Sequence, residues 1–164
     1  FSRKDTLSIG ICNGCQLFME LDLIYPSHEN HGKMTFNDSR KHESNFTSVK
    51  INTNNSIMLG SLEQLNLGVW ISHGEGKFKL PYPKEHYNIV AEYAYPDYPS
   101  NPNGSDYNTA MLSSDDGRHL VTMPHIERSI FKWNWAYYED NRDDLLSPWV
   151  LAFLNAKNWI SENS

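Results

Sequence analysis

The spacing of hydrophobic residues along the chain predicts a protein built on several short strands. Residues 65–71 place Leu, Val or Ile at every second position, the period expected of a strand with one buried face. An Asp-Gly step at residues 116–117 indicates a hairpin between the last two strands. The predicted strands cover residues 7–11, 46–51, 65–71, 89–95, 109–112 and 119–123.

Two segments have the spacing of helices. Residues 16–23 carry apolar side chains close to a helical period, directly after the first predicted strand. Near the C-terminus, Ser147 is suited to an N-cap and Pro148 to the first helical position. The apolar stripe predicted for this second helix consists of Trp149, Phe153, Ala156 and Ile160.

Residues 25–45 are largely polar and predict an irregular connection.

Length and composition limit the possible classes of protein. A chain of 164 residues, 39% of them hydrophobic, is enough for one domain with a real core, and its mixture of strands and helices predicts an α/β fold with a partly parallel sheet. The formal charge of -6 disfavours a nucleic-acid surface, and no apolar run is long enough for a membrane span. Two cysteines cannot form the disulfide framework of a small secreted protein, so we expect a cytoplasmic protein.

Both cysteines, Cys12 and Cys15, lie in the segment GICNGCQ at residues 10–16. A Cys-x-x-Cys spacing is compatible with a redox dithiol, with half of a zinc site, or with one nucleophile beside a second thiol. Two buried, inert thiols are a fourth interpretation. The sequence contains no second cysteine pair, so we expect no metal site.

The residues around Cys12 favour a single nucleophile. Gly10 and Gly14 flank it between a predicted strand and a predicted helix, which is the pattern of a nucleophile elbow with cysteine in place of serine. Further along, His125 and Glu127 are two residues apart in MPHIER, after a predicted strand. In an extended segment the two side chains point the same way, so the carboxylate can hold one ring nitrogen while the other faces a thiol.

Four motifs in this order resemble one known family: GICNGCQ, SHGEG, NPNGS and MPHIER. Together they resemble the glutamine amidotransferase domain of phosphoribosylformylglycinamidine synthases. The tail NWAYYEDNRDDLLSPWVLAFLNAKNW resembles the large, single-chain form of these synthases. The resemblance implies part of a class I glutamine amidotransferase (flavodoxin-like) α/β fold, and the expected domain organisation is that residues 1–164 form the C-terminal part of one such domain, without its upstream strands.

The same resemblance implies a Cys-His-Glu triad, with Cys12 as nucleophile, His125 as proton carrier and Glu127 orienting the imidazole. It makes Cys15 a bystander, and it places a donor to the oxyanion on the backbone of Asn13. The residues expected to bind substrate are Asn13, Gln16, Ser72, His73 and Gly74. For His73 we expect a positioning or backbone role in preference to general-base chemistry.

The implied parent enzyme uses ammonia from glutamine, together with ATP and Mg²⁺, to convert formylglycinamide ribonucleotide to the amidine. We expect glutamine as substrate, the synthetase domains of the same polypeptide as partners, no cofactor in this chain itself, and an inactive fragment when it stands alone.

The sequence departs from the family's pattern at Ile126, where Pro is usual, and at Phe36, where Arg is common in a loop that keeps Asn37, Ser39 and Glu43.

Two other functions stay open from the sequence. One is a non-catalytic interaction module that docks on larger domains through its aromatic tail, which contains Trp133, Trp135, Tyr137 and Tyr138. The other is a thiol-redox protein that uses Cys12 and Cys15. The turn at residues 103–105 is typical of the resembled family, and the sequence gives it no role.

Overall fold

The computed structural model describes residues 1–163 and contains eight strands and two α-helices within them. The strands are β1 (Ser8–Ile11), β2 (Lys33–Thr35), β3 (Glu43–Ile51), β4 (Asn66–His73), β5 (Lys77–Lys79), β6 (Asn88–Tyr93), β7 (Thr109–Ser113) and β8 (His119–Thr122). The helices are α1 (Asn13–Glu20) and α2 (Val150–Asn163). Six strands form one sheet in the order β1-β8-β7-β6-β3-β4, and β2 pairs with β5 in a second, small sheet.

The pairing of strands brings several loops to one edge of the large sheet. β1 and β8 run parallel, and each of the other neighbouring pairs in this sheet is antiparallel. It follows that β1, β4, β6 and β8 all point in the same direction, so that the segments after their carboxyl ends meet at one edge. The predicted α/β fold with a mixed, partly parallel sheet is confirmed.

Apolar side chains fill both faces of the sheet. One core lies under α1 and the small β2–β5 sheet, and the other lies under α2 and the turn at residues 56–62. Consecutive residues of the central strands enter different cores: Met111 and Leu120 face the α2 side, whereas Leu112 and Val121 face the α1 side. Strands buried on both faces are what a sheet covered by helices on both sides requires.

Two sequence expectations about the elements are wrong in detail. The first helix begins at Asn13, directly after Cys12, and not at residue 16. The segment 25–45, expected to be irregular, contains β2 and the start of β3. β2 was missed because its three residues, Lys-Met-Thr, are too few to show a period, and because its only strand partner is the equally short β5.

The C-terminal helix docks through its first turn. Trp149, which precedes α2, is completely buried and donates its indole N–H to the backbone carbonyl of Gly68 at 2.8 Å. Phe153 and Ala156 pack on the same core, but Ile160 is 42% exposed, so the predicted stripe faces the core only over its first part.

No helix within residues 1–163 is long and apolar enough to cross a membrane.

The large sheet is curled, so that its distant strands approach each other at the shared edge. β4 lies at the opposite end of the strand order from β1 and β8, yet Trp70 of β4 accepts a hydrogen bond from the backbone N–H of His125 at 2.7 Å. Since His125 follows β8, this isolated bridge holds the ends of β4 and β8 together.

The anchoring of α2 predicts very different costs for two truncations. Trp149→Ala removes a fully buried indole and should lower the free energy of unfolding by about 3–5 kcal/mol. Leu154→Ala, on the exposed side of the same helix, should change it by less than about 0.5 kcal/mol. Urea unfolding followed by circular dichroism measures both, and equal costs would show that Trp149 is not the anchor.

Candidate active site

Cys12 lies on a sharp turn between β1 and α1. Its backbone has φ 51° and ψ -104°, in the positive-φ region that residues with a side chain rarely adopt. The chain is held on both sides of this strained residue, since the Cys12 N–H donates to Thr122 O at 2.8 Å and the Cys12 carbonyl accepts from Gln16 N–H at 3.0 Å. This is the backbone geometry of a nucleophile elbow, which presents one side chain at the end of a strand.

Only one of the two flanking glycines is required by close packing. A Cβ on Gly10 would lie 2.7 Å from the carbonyl oxygen of Gly14, because β1 and the first turn of α1 are in direct backbone contact. A Cβ on Gly14 would have no neighbour within 4 Å. Of the two glycines in the elbow pattern, Gly10 is therefore the one whose missing side chain the packing requires.

His125 and Glu127 form a close pair. His125 Nδ1 lies 2.6 Å from Glu127 Oε1, so the carboxylate accepts a hydrogen bond from the ring. The pair arises differently from the sequence argument, because residues Ile126–Arg128 form a 3₁₀ turn and not an extended segment. His125 is 7% exposed, and its second ring nitrogen, Nε2, is buried and makes no hydrogen bond within residues 1–163.

The structure brings the Cys12 thiol next to this pair. Polar contact with Cys12, and then the hydrogen bond to Glu127, raise the pKa of His125 to about 9. Burial alone would raise the pKa of Glu127, but the hydrogen bond from His125 outweighs it and lowers that pKa. These directions favour an imidazolium that is paired with the Glu127 carboxylate. The other side of the imidazolium ring faces the Cys12 sulfur.

The segments 12–16 and 72–76 are joined by two hydrogen bonds. The Cys12 Sγ donates to the backbone carbonyl of Ser72 at 3.6 Å, and Gln16 Nε2 donates to the backbone carbonyl of Glu75 at 2.7 Å. The end of β4 therefore forms the wall of the site that faces the thiol. Asn13, the first residue of α1, is exposed, and backbone N–H groups at this position have no acceptor within their own helix.

His73 is deeply buried and does not contact the triad through a hydrogen bond. It is 3% exposed, burial lowers its pKa to about 4, and neither ring nitrogen has a partner within the described chain. A Cβ on Gly76 would lie 2.4 Å from the His73 ring, so this glycine is needed for the ring to fit beneath the turn. The geometry agrees with a positioning role for His73, which stays a prediction.

Sequence reasoning assigned no role to Asn37, which holds the turn at residues 73–76. Asn37 is completely buried and its amide nitrogen donates to His73 O at 2.7 Å. Its amide oxygen accepts from Gly76 N–H at 3.0 Å, and its own N–H donates to Gly74 O at 2.9 Å. One asparagine thus fixes three residues of the turn.

Asn103 supports the same turn from the opposite side, which gives the NPNGS motif a structural role. Its amide nitrogen donates to Gly76 O at 2.6 Å and to the hydroxyl of Tyr93 at 3.1 Å. Ser105 Oγ donates to Asn103 Oδ1 at 2.8 Å and accepts from Phe78 N–H at 3.0 Å. Hydropathy cannot identify buried amides such as that of Asn103. The position of NPNGS in the order of the four motifs was the signal that pointed to this segment.

Cys15 lies apart from this chemistry. It is completely buried in the core beneath α1, where burial, and then the neighbouring Cys12, raise the pKa of its thiol well above the usual value. Both cysteines are free. Within the described part of the chain, no group of three or more His, Cys, Asp or Glu side chains is placed to hold a metal ion.

Comparison with known proteins agrees with the fold and shows the family. The family model for the CobB/CobQ-like glutamine amidotransferase domain matches residues 1–160, and the chain belongs to this family. Over 96% of its length the chain is 39% identical to a phosphoribosylformylglycinamidine synthase of Drosophila melanogaster, and over 99% it is 36% identical to the one of Homo sapiens. The resemblance expected from the four motifs is confirmed.

The chain spans 13% of the Drosophila protein and 14% of the human one. Among solved structures, PurLQS from Thermotoga maritima matches with a TM-score of 0.71 and 23% sequence identity. That match covers 94% of this chain and 62% of the other. At 23% identity, this match shows that the two folds are alike. The shared fold is that of the glutamine amidotransferase family.

The packing at the elbow predicts opposite results for two substitutions of glycine by alanine. Gly10→Ala forces a Cβ against the Gly14 backbone and should cost about 1–3 kcal/mol of stability. Gly14→Ala fills open space in a helix and should be neutral or stabilising by up to about 1 kcal/mol. Chemical denaturation compares the two, and a Gly10→Ala protein as stable as the parent would refute the proposed contact.

Contact with Cys12 and pairing with Glu127 together predict a high pKa for the His125 imidazole. Nuclear magnetic resonance titration, assigned with His125→Asn, should show His125 titrating near pH 9, and Glu127→Gln should lower that value. Because the folded pKa is raised, the pair stabilises the fold fully below about pH 6.5 and loses this effect as pH rises to about 9. Glu139→Gln, on the exposed tail, is the control. Titration at or below 6.5 in the parent protein would contradict the pairing.

Proposed function

We propose that this chain is the glutamine-hydrolysing domain of a cytoplasmic phosphoribosylformylglycinamidine synthase, with Cys12, His125 and Glu127 as its triad. One observation carries the proposal: in a member of the glutamine amidotransferase family, a cysteine on a strained elbow lies beside a buried histidine whose far side is held by a carboxylate. A nucleophile, a base and a group that orients the base are the parts that covalent amide hydrolysis needs.

In the first half of the reaction, the Cys12 sulfur attacks the carbon of the glutamine side-chain amide. His125, as an imidazolium, already holds the proton that the Cys12 thiol gives up, and it passes this proton to the departing nitrogen, so ammonia leaves and a glutamyl thioester remains on Cys12. Glu127 keeps Nδ1 occupied, which directs Nε2 towards the sulfur. The backbone N–H of Asn13, at the free end of α1, stabilises the negative charge that develops on the amide oxygen.

In the second half, water hydrolyses the thioester. His125 removes a proton from the water that attacks the thioester carbon, the C–S bond breaks, and the proton returns to the sulfur as glutamate is released. The substrate lies along the wall formed by Ser72, His73 and Gly74, whose backbone is fixed by Asn37. Gln16, which spans from α1 to the turn at Glu75, closes one side of this site.

The ammonia serves a reaction outside this chain. We place the ATP-dependent conversion of formylglycinamide ribonucleotide to the amidine, a step of purine biosynthesis that makes the parent a ligase, on other domains of the same polypeptide. We assign the ATP and Mg²⁺ of that reaction to the same domains. The chain's small share of its relatives' length supports this division.

The two alternative functions have less support. A redox dithiol needs two accessible thiols, and complete burial raises the pKa of Cys15, which makes its reactive thiolate scarce. The interaction module has one observation in its favour, since Trp133 and Tyr137 of the tail are 68% and 73% exposed. A surface for other domains is compatible with catalysis, however, and does not explain the elbow or the triad.

Glutamine-dependent and ammonia-dependent synthesis, measured in the full-length polypeptide, separate the proposed site from the rest of the enzyme. Cys12→Ala should abolish glutamate release and glutamine-dependent synthesis, because the nucleophile is lost, while added ammonium salts still support synthesis. Cys15→Ala is the matched control and should keep most of the glutaminase activity.

His125→Asn should resemble Cys12→Ala, with a loss of glutaminase activity of about a hundredfold or more, the usual contribution of general acid–base catalysis. Equal losses in Cys12→Ala and Cys15→Ala would favour the dithiol. Unchanged glutamine hydrolysis in Cys12→Ala would refute the assignment of the nucleophile.

A further inference from the structure

A second histidine lies at the rim of the site and has no part in the triad. His42 is exposed, and its Nε2 lies 3.1 Å from the hydroxyl of Ser72, the residue whose carbonyl accepts from the Cys12 thiol. Its other ring nitrogen, Nδ1, is 4.0 Å from the position of a Cβ on Gly74. The ring therefore lies over the wall along which the substrate is proposed to bind.

This imidazole has a fixed position despite its exposure. His42 directly precedes β3, whose first residue, Glu43, pairs with His73 in the antiparallel β3–β4 ladder. On its other side, the loop is held by Asn37, whose amide nitrogen donates to Lys41 O at 2.9 Å. Backbone anchors on both sides reduce the entropy that a surface side chain loses when it binds a ligand.

The arrangement around Ser72 has the dimensions of an amino acid. The thiol contacts the carbonyl of Ser72 and the imidazole contacts its hydroxyl, so the two groups are separated by the width of one residue. A glutamine whose amide carbon is at the Cys12 sulfur, and whose α-carbon end extends past Ser72, reaches His42. When Nε2 accepts from the Ser72 hydroxyl, Nδ1 is the ring nitrogen that donates.

We infer that His42 binds the α-carboxylate of the glutamine and so contributes to substrate specificity, an inference that rests on the proposed glutaminase function. Lys77, which follows the turn at residues 73–76, forms an ion pair with Asp38. A hydrogen bond from the imidazole to a carboxylate is of the stronger, charge-assisted kind. His42 thereby recognises the end of the substrate that does not react.

Affinity labelling with two related reagents tests this inference. 6-Diazo-5-oxo-L-norleucine has the shape of glutamine, and its protonated diazo carbon is attacked by the thiol sulfur with loss of N₂, leaving a thioether on Cys12. Its methyl ester lacks only the carboxylate charge. Mass spectrometry measures the labelling rates of both reagents on the unsubstituted protein, which is called the parent protein here, and on three variants. The variants are His42→Ala, His42→Lys and the control His86→Ala, which changes a distant exposed histidine.

The parent protein and His86→Ala should react with the free acid faster than with the ester. In His42→Ala the rate with the acid should fall by about tenfold or more, the size of one charge-assisted hydrogen bond, while the rate with the ester stays the same. His42→Lys, which restores a donor, should recover part of the preference for the acid.

Three results would overturn the inference. An unchanged rate of His42→Ala with the acid would remove His42 from recognition. Equal slowing with acid and ester would show that His42 only positions Ser72. If the parent protein reacts with neither reagent faster than with iodoacetamide, the glutaminase proposal itself fails, and this inference fails with it.

Discussion

The hydrogen bond from His125 N–H to Trp70 O closes the curled sheet, and the site depends on that closure. β1 and β4 are at opposite ends of the strand order, so in a flat sheet Cys12 and Ser72 would be separated by the width of four strands. The curl brings the ends of β1, β4 and β8 together, with His125 held at 2.7 Å from Trp70 O. This contact joins His125 to β4, and the hydrogen bond from Cys12 N–H to Thr122 O at 2.8 Å joins the elbow to β8.

Buried amides keep this edge of the sheet rigid. Asn37 and Asn103 are both completely buried, and their side chains satisfy backbone groups of the turn that would otherwise lack partners. Removing either amide would leave those groups unsatisfied, at a typical cost of about 1–3 kcal/mol each. The strained backbone of Cys12 persists because its N–H and carbonyl are hydrogen-bonded to Thr122 and Gln16.

A part of the structure could be predicted from the sequence when the interactions that form it join residues close together in the chain. The elbow, the hairpin of β7 and β8 and the start of α2 depend on neighbouring residues, so hydropathy and turn chemistry indicate them. Contacts between Cys12 and Ser72, or between Asn37 and Gly76, join residues far apart in sequence and follow from the curl of the sheet. Hydropathy has no signal for polar side chains that are buried, and none for a three-residue strand such as β2.

Acid quenching during turnover of L-glutamine tests the role of the elbow cysteine most directly. If Cys12 is the nucleophile, peptide fragmentation by mass spectrometry should place a glutamyl group on its sulfur, and hydroxylamine should remove it as expected of a thioester. Cys15 should carry no adduct, because it is completely buried. A glutamyl group on Cys15, or continued release of glutamate without any adduct on Cys12, would contradict the assignment.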